Sequence, residues 1–392
     1  MTDLQVQSVV DYLGAGAKNP KEFRFGLEIE HLLVNIDTGR AVTYAGEKGV
    51  EKILEEIVAQ TEEHIEASYR ESGHLLGVKG TDIDISLEPG AQFECAMGPF
   101  FTSEDFLKRY NKIRATIDPI LKMFNCELQT FGYHLVTKRD EIQIIPKARY
   151  TVMNEYLGKT GKYGRNMMRC SASTQVSIDY SSEVDAIQKT RVGFALGPLF
   201  AFFFKNTPVF EGEKNTVELI RLKMWDDCDP YRCSTVPGLY DADFSFAKYA
   251  KYILSVPLMV ADFHYTPEKD HLLENEKVVI AYDSASDMYP DRRLNKQEIE
   301  HIISTYFFDV RLKNFVELRT VDSLPIERAL EFLDMVRNVF YNQKKLDEVS
   351  NMLEGIDETD IVAAKAQINS LGEDAIVYGV PLKQWGAVLT PN

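Results

Sequence analysis

Glutamates recur at alternate positions in several short apolar segments of this chain. Phe25, Leu27 and Ile29 alternate with Arg24, Glu28 and Glu30. Strand side chains two apart share a face, so Glu28 and Glu30 point the same way. Two carboxylates so placed repel each other unless a cation lies between them. The plainer alternative is a solvated sheet face. Glu88, Glu94 and Glu317 occupy the polar faces of three further segments. Ile83, Ile85 and Leu87 oppose Asp82, Asp84, Ser86 and Glu88; Phe93 and Cys95 oppose Gln92 and Glu94; Val316 and Leu318 oppose Glu317 and Arg319. If these strands share a sheet, five carboxylates face one cavity. Oxygen-only donors suit magnesium or manganese better than zinc or copper, and five glutamates imply more than one ion. Several divalent cations would bring a polyphosphate into such a site.

Arginines supply the opposite charge. Arg221, Trp225, Asp229 and Arg232 fall within one dozen residues, and Arg319 shares a strand face with Glu317. Arginine grips carboxylate and phosphate oxygens in pairs and stays charged. Beside an acidic metal cluster it stabilises a phosphoryl group in transit. Ordinary ion pairing, such as Arg232 with Asp229, is the competing reading.

Other familiar signals fail. Gly158-Lys159-Thr160 resembles the end of a phosphate loop, but Met153 stands where the first glycine belongs. Gly14 and Gly16 follow a helix, so no dinucleotide fingerprint forms. There is no His-Glu-x-x-His and no Gly-x-Ser-x-Gly. His31 has apolar-face parity and reads as a packed histidine. Cys95 and Cys170 read as small core residues.

The elements that must position these groups alternate along the chain. Helices are expected over Leu4–Leu13, Val50–Thr61, Ser103–Phe124 (Ser103 as N-cap) and Glu183–Phe204, with another opening at Ser323-Leu324-Pro325. Residues from Gln343 onward continue as helices with charged faces. Thr174, Val176 and Ile178 oppose Ser173, Gln175, Ser177 and Asp179 on a further strand. Strands with one polar face and unevenly clustered helices predict an α+β architecture, an antiparallel sheet covered by helices on one face. No repeat or Pro/Gly/Ser-rich linker divides the chain. One domain over 1–392 is expected, with a helical C-terminal region from about residue 326.

Composition narrows the class of function. The 392 residues are 45% hydrophobic and 27% charged, as in an ordinary globular protein. A net charge of -16 would repel a duplex or an anionic membrane, so neither is an expected partner. Val192–Phe204 is too short to span a bilayer and reads as a buried helix. Met1–Val10 lacks the pattern of a secretory signal. Five scattered cysteines argue against a disulfide framework, and Cys228 with Cys233 lacks a second pair to complete a zinc site. A reduced, cytoplasmic setting is expected.

Six segments in order then carry a resemblance. Phe25-Gly26-Leu27-Glu28-Ile29-Glu30 resembles the opening motif of glutamate–cysteine ligases, and Ile85 through Glu94 looks like the hallmark of their plant and proteobacterial branch. Pro146 to Tyr150 with Met153, Thr174 to Asp179, Arg221 to Arg232, and Arg311 through Arg319 to Asp322 agree as well. The resemblance implies a glutamine-synthetase-like fold, with an antiparallel β-sheet funnel around ATP and metal ions. It implies that Glu28, Glu30, Glu88, Glu94 and Glu317 hold magnesium or manganese. Arg319, with Glu317 and Arg232, would serve the transfer of the γ-phosphate. Arg221, Trp225 and Arg232 would line the glutamate and acceptor pocket, with Arg149 and Tyr150 bordering it, and Gln175 lies where other branches place a histidine. The implied reaction joins the glutamate γ-carboxylate to the amine of cysteine through a γ-glutamyl phosphate, the first step of glutathione synthesis. The alternatives are a related carboxylate–amine ligase with another acceptor and a non-catalytic nucleotide-binding protein. Three features depart from the pattern: Ala91 replaces a glycine, Ser177 replaces an asparagine, and Cys95 opens a divergent stretch.

Overall fold

The computed structural model describes residues 1–61, 65–80, 83–233, 235–262, 278–289 and 291–391. Asp82, expected on the polar face beside Asp84, lies outside them. The strands that matter are β1 (Phe25–Asn35), β2 (Ile65–Glu71), β3 (His74–Gly80), β4 (Asp84–Leu87), β5 (Phe93–Phe100), β6 (Cys126–Gln129) and β7 (Ser173–Ile178), followed by a late hairpin, Val310–Leu312 with Val316–Asp322. They form one nine-stranded sheet in the order Val310–Leu312, Val316–Asp322, β7, β1, β5, β4, β3, β2, with β6 on the far end of β1. Every pairing in it is antiparallel. β1 is central because each of its edges is taken, by β5 and by β7.

Helices α1 (Asp3–Gly14), α2 (Val50–Gln60), α3 (Ser103–Met123), α4 (Ala148–Thr160), α5 (Gly164–Cys170), α6 (Glu183–Phe203) and α7 (Ile220–Asp226) precede the helix Ile326–Phe340 and three shorter helices beyond it. α2, α3, α6 and Ile326–Phe340 pack on the sheet. α6 shows which face they cover: a side chain on Gly193 would press on Leu318 and Val310, so α6 lies on the apolar face. By alternation, Glu317 and Arg319 face the other way. α6 is buried along Val192–Phe202, as its apolar run predicts. Among the described residues no helix is long and apolar enough to cross a membrane.

Local chemistry sets the helix ends. Thr102, not Ser103, caps α3 by accepting from Asp105 N, because its backbone is already extended where Ser103 has turned helical. Gly158-Lys159-Thr160 is the last turn of α4 rather than a phosphate loop. His31 is fully buried, held at 3.2 Å from Phe93 O and 2.9 Å from Tyr110 OH. All five cysteines are buried and free. Burial pushes the Cys95 and Cys170 thiols up to about 12, so neither is a ready nucleophile.

Two buried histidines each give the fold an acid-sensitive contribution. Burial lowers His134 to about 4, and burial followed by nearby Arg114 does the same to His31. Both are neutral in the folded chain but titrate near 6.5 once unfolded. Their contribution is present above 6.5 and lost as pH falls towards 4, up to about 3 kcal/mol each. The difference in urea midpoint between wild type and a His134→Gln variant, measured at pH 7.5, 6 and 5, is expected to move against wild type in that order, the raised carboxylates acting alike in both proteins. A difference that does not change with pH would show that His134 is not a sensitive group.

Candidate active site

The sheet brings the polar groups of five strands to one face. Glu30 pairs directly with Glu94 across β1 and β5, and Glu28 pairs with Gln175 across β1 and β7. Ser86 Oγ donates to Glu94 Oε1 at 2.7 Å. Glu88 follows β4 in a tight turn in which Ala91 N donates to Glu88 O and Glu88 N to Gln92 O. A β-carbon on Gly90 would lie 2.2 Å from Arg169 O, so only glycine fits there. Ala91 sits at φ 65°, a left-handed conformation that glycine adopts without strain. Buried Gln92 ties the turn down, its amide accepting from Gly90 N at 2.8 Å and donating to Ser171 O at 2.8 Å.

Charge divides the site into two halves. On one side, burial and then Glu317 push Glu28 up to about 7, and burial and then Glu88 push Glu30 up to about 7. Burial, then Glu28, Glu88 and Glu30, hold Glu94 well above the usual carboxylate range. Glu28 also feels Lys313, Arg319 and Arg311, and Glu30 feels Arg221 and Arg319, but burial and the neighbouring carboxylates outweigh these cations. On the other side is a cationic ring. Arg311 sits 2.7 Å from Glu317 Oε2, Arg319 Nη1 2.9 Å from the same oxygen, and Lys313 Nζ 3.6 Å from Oε1. Burial alone would raise Glu317, but Arg311, Arg319 and Lys313 together hold it well below its ordinary value.

Gln175 joins the halves. Its Nε2 donates to Glu30 Oε1 at 3.0 Å, and its Oε1 accepts from Arg319 Nη1. Ser173 N donates to Glu30 Oε2 at 2.6 Å. Tyr150 OH lies 3.4 Å from Glu88 Oε1. Arg149 donates to Ser304 O at 2.9 Å and feels Glu88 and Arg311. Lys147, 4.5 Å above the Tyr150 ring, adds a cation beside Glu88 and Glu94. Arg221 reaches the site from α7, its Nε donating to Arg319 O at 3.1 Å. Arg221 Nη1 and Trp225 Nε1 are buried donors with no partner, groups that call for an acceptor.

Arg232 stands apart. It is fully buried and paired with Asp229 at 2.7 Å, with Tyr156 OH at 3.1 Å and Pro257 O also accepting from it. No hydrogen bond or ion pair joins it to the five glutamates. Its two Nη groups are taken, which fits the ion-pair reading, while its Nε is a buried donor with no partner, as Arg221 Nη1 and Trp225 Nε1 are. Arg232→Ala is expected to destabilise the fold by about 3–5 kcal/mol, because it leaves Asp229 buried and unpaired. Urea unfolding of Arg232→Ala beside wild type checks this. A variant of wild-type stability with no turnover would return Arg232 to the chemistry.

The five glutamates form no closed cage. Among the described residues no three His, Cys, Asp or Glu side chains could hold a metal ion unaided. Sequence reasoning missed the Arg311–Lys313 ring as a unit and the role of Lys147. Arg311 was legible in principle, since it pairs directly opposite Glu317 across the late hairpin.

An antiparallel sheet presenting acidic and cationic groups on one face, backed by helices, defines a class able to bring polyphosphate and carboxylate together. The chain matches glutamate-cysteine ligase family 2 over residues 24–386 and belongs to that family. It is 27% identical over 348 residues to the chloroplastic glutamate–cysteine ligase of Arabidopsis thaliana, covering 88% of this chain and 65% of that protein. It is 27% identical over 372 residues to that of Medicago truncatula, covering 94% and 71%. The chain thus spans about two thirds of these relatives' length. In fold it is similar to the glutamate–cysteine ligase of Francisella tularensis solved in complex with AMP, with a TM-score of 0.53 at 12% identity, covering 94% of this chain and 76% of that one.

Proposed function

We propose that this chain is an ATP-dependent ligase that joins the γ-carboxylate of glutamate to the amine of cysteine, giving γ-glutamylcysteine. One observation carries the reading: the crowded, buried Glu28, Glu30 and Glu94 share a face with Arg319, Arg311 and Lys313. Magnesium takes one or two carboxylates and completes its shell with phosphate oxygens and water. Cross-strand pairs such as Glu30 with Glu94 suit that better than a closed cage would. Glu28, Glu30, Glu88, Glu94 and Glu317 would hold magnesium or manganese, which when bound neutralises the phosphates of ATP.

The chain's own groups do the rest. Unpartnered Arg221 Nη1 and Trp225 Nε1 would donate to the glutamate carboxylate, with Arg149 and Tyr150 at the border and Gln175 fixing Glu30. A carboxylate resists attack by an amine because oxide is a hopeless leaving group. Transfer of the γ-phosphate makes an acyl phosphate, and Arg319 would meet the charge on the moving phosphoryl group. The acceptor amine then attacks the acyl carbon and phosphate leaves. No protein nucleophile is required, which fits the raised, buried thiols. Five free cysteines suit a reducing compartment such as the cytoplasm, although the plant relatives are named as chloroplastic.

ADP release with glutamate, against a panel of amines, tests this. Cysteine is expected to outpace alanine, serine and ammonia, with 2-aminobutyrate a fair substitute, since one small group typically gives about 1–3 kcal/mol of discrimination. A larger or differently charged amine outperforming cysteine at equal concentration would leave the ligase chemistry standing and reassign the acceptor.

A further inference from the structure

The helix Glu358–Leu371 holds α7 at both ends. Asn369 Oδ1 accepts from Leu219 N at 2.9 Å, one residue before α7 begins. Lys365 Nζ lies 2.7 Å from Oδ1 of Asp226, the last residue of α7. Residues four apart on a helix share a face, so both anchors come from one side of Glu358–Leu371. Lys365 has a second partner. Its Nζ sits 2.9 Å from Asp309 Oδ2, an ion pair without a well-angled hydrogen bond. The Asp309 carbonyl in turn accepts from Arg319 N at 3.1 Å.

A lysine is rarely this buried unless paired. Lys365 is 8% exposed and Asp309 4%. The apolar face of the same helix, Ile361, Ala364 and Ile368, already packs inward, so Lys365 is not needed to bury it. Two ends of one network therefore meet at this ammonium. One runs through Asp226 and α7 to Arg221 and Trp225; the other runs through Asp309 to Arg319. The Arg221 Nε bond to Arg319 O closes the loop between them.

We infer that Lys365 is a positioning residue for the ligase reaction: by tying the end of α7 to Asp309, it sets where Arg221 and Trp225 stand relative to Arg319. This rests on the function proposed above. The helical C-terminal region would thus serve the reaction without touching substrate, by fixing the gap between the groups that take glutamate and the group that meets phosphate.

The test uses the full chain with magnesium, ATP, glutamate and cysteine, and reads ADP release. Lys365→Met is expected to raise the KM for glutamate and lower kcat, each about tenfold, since small misplacements of positioning groups carry large rate costs. The KM for ATP should hold, and Lys365→Arg should recover most of the loss. Asp226→Asn cuts the α7 arm alone and should shift the same parameters in the same direction, which covers the case of Lys365→Met failing to fold. The chain has two tryptophans, so 5-fluorotryptophan gives two fluorine resonances. That of Trp225 should move in both variants while that of Trp385 stays. Wild-type kinetics and an unmoved Trp225 signal in either folded variant, even with a lower Tm, would reduce Lys365 to a structural pair and overturn the inference. If the wild-type chain releases no ADP with glutamate, the functional reading falls, and the Trp225 resonance alone then decides whether Lys365 sets α7.

Discussion

Replacing Glu94 with glutamine is expected to abolish glutamate-dependent ADP release while raising the Tm of the metal-free protein. The two effects have one cause. Glu94 is buried against Glu28, Glu88 and Glu30, and its carboxyl is held well above the usual range. Glutamine copies the size and the neutral form, so the repulsion disappears and the bond from Ser86 Oγ can persist. A relief of about 1 kcal/mol would raise Tm by about 2 °C in a chain this large. The sign follows from the raised folded value. Wild type keeps its full stability below the unfolded pKa and loses it as pH rises and Glu94 is forced to ionise. The variant escapes that loss, so its advantage should grow from pH 5 to pH 8. Magnesium should narrow the gap, because a cation favours the carboxylate. Loss of a direct metal ligand should cost more than the 10–100-fold typical of outer partners. Melting curves across pH, with and without magnesium, and ADP release check both halves. Wild-type turnover in the variant would mean that Glu94 belongs to a merely solvated face.

Arg319→Lys should cost turnover far more than nucleotide affinity. Arg319 Nη1 is shared between Gln175 Oε1 and Glu317, and its backbone accepts from Arg221 and donates to Asp309. Its position is therefore fixed before substrate arrives, with the rest of the guanidinium fork free to meet an oxygen that moves during transfer. Lysine offers a point charge that cannot hold both partners and a phosphoryl oxygen. Arginines in this role are worth about 10³–10⁵ in kcat elsewhere, and a loss at the lower end is expected here. Equilibrium binding of an ATP analogue beside single-turnover rates separates the possibilities. Weakened nucleotide binding with an intact maximal rate would refute the transition-state role.

Much of the site was legible because strands impose a period of two. Glu28, Glu30, Glu94, Glu317 and Arg319 could be assigned to faces from their apolar neighbours alone, and the register brings Glu30 opposite Glu94. The helices α2 and α6 were legible to within about a residue, the first from its apolar periodicity and the second from its apolar run. What escaped depends on pairing between distant segments. Arg232 and Asp229 lie three apart, yet only Pro257 O and Tyr156 reveal that both Nη groups of that guanidinium are engaged. Lys365 looks like any solvated helix lysine until Asp226 and Asp309 arrive from residues far earlier in the chain. The cap of α3 shifted by one residue because Thr102 and Ser103 are chemically equivalent caps and backbone conformation chose between them.

Gln175 carries a consequence for how the reaction responds to acidity. An amide has a donor end and an acceptor end and no proton to gain or lose between pH 5 and 9. Placed between Glu30 and Arg319, it does not itself titrate, whereas Glu30, pushed up to about 7, does. An imidazole there would titrate near neutrality and would have to surrender one of its two contacts on doing so. The rising limb of a rate–pH curve should accordingly carry the incoming amine and the raised Glu28 and Glu30 shedding their protons, with nothing added by Gln175.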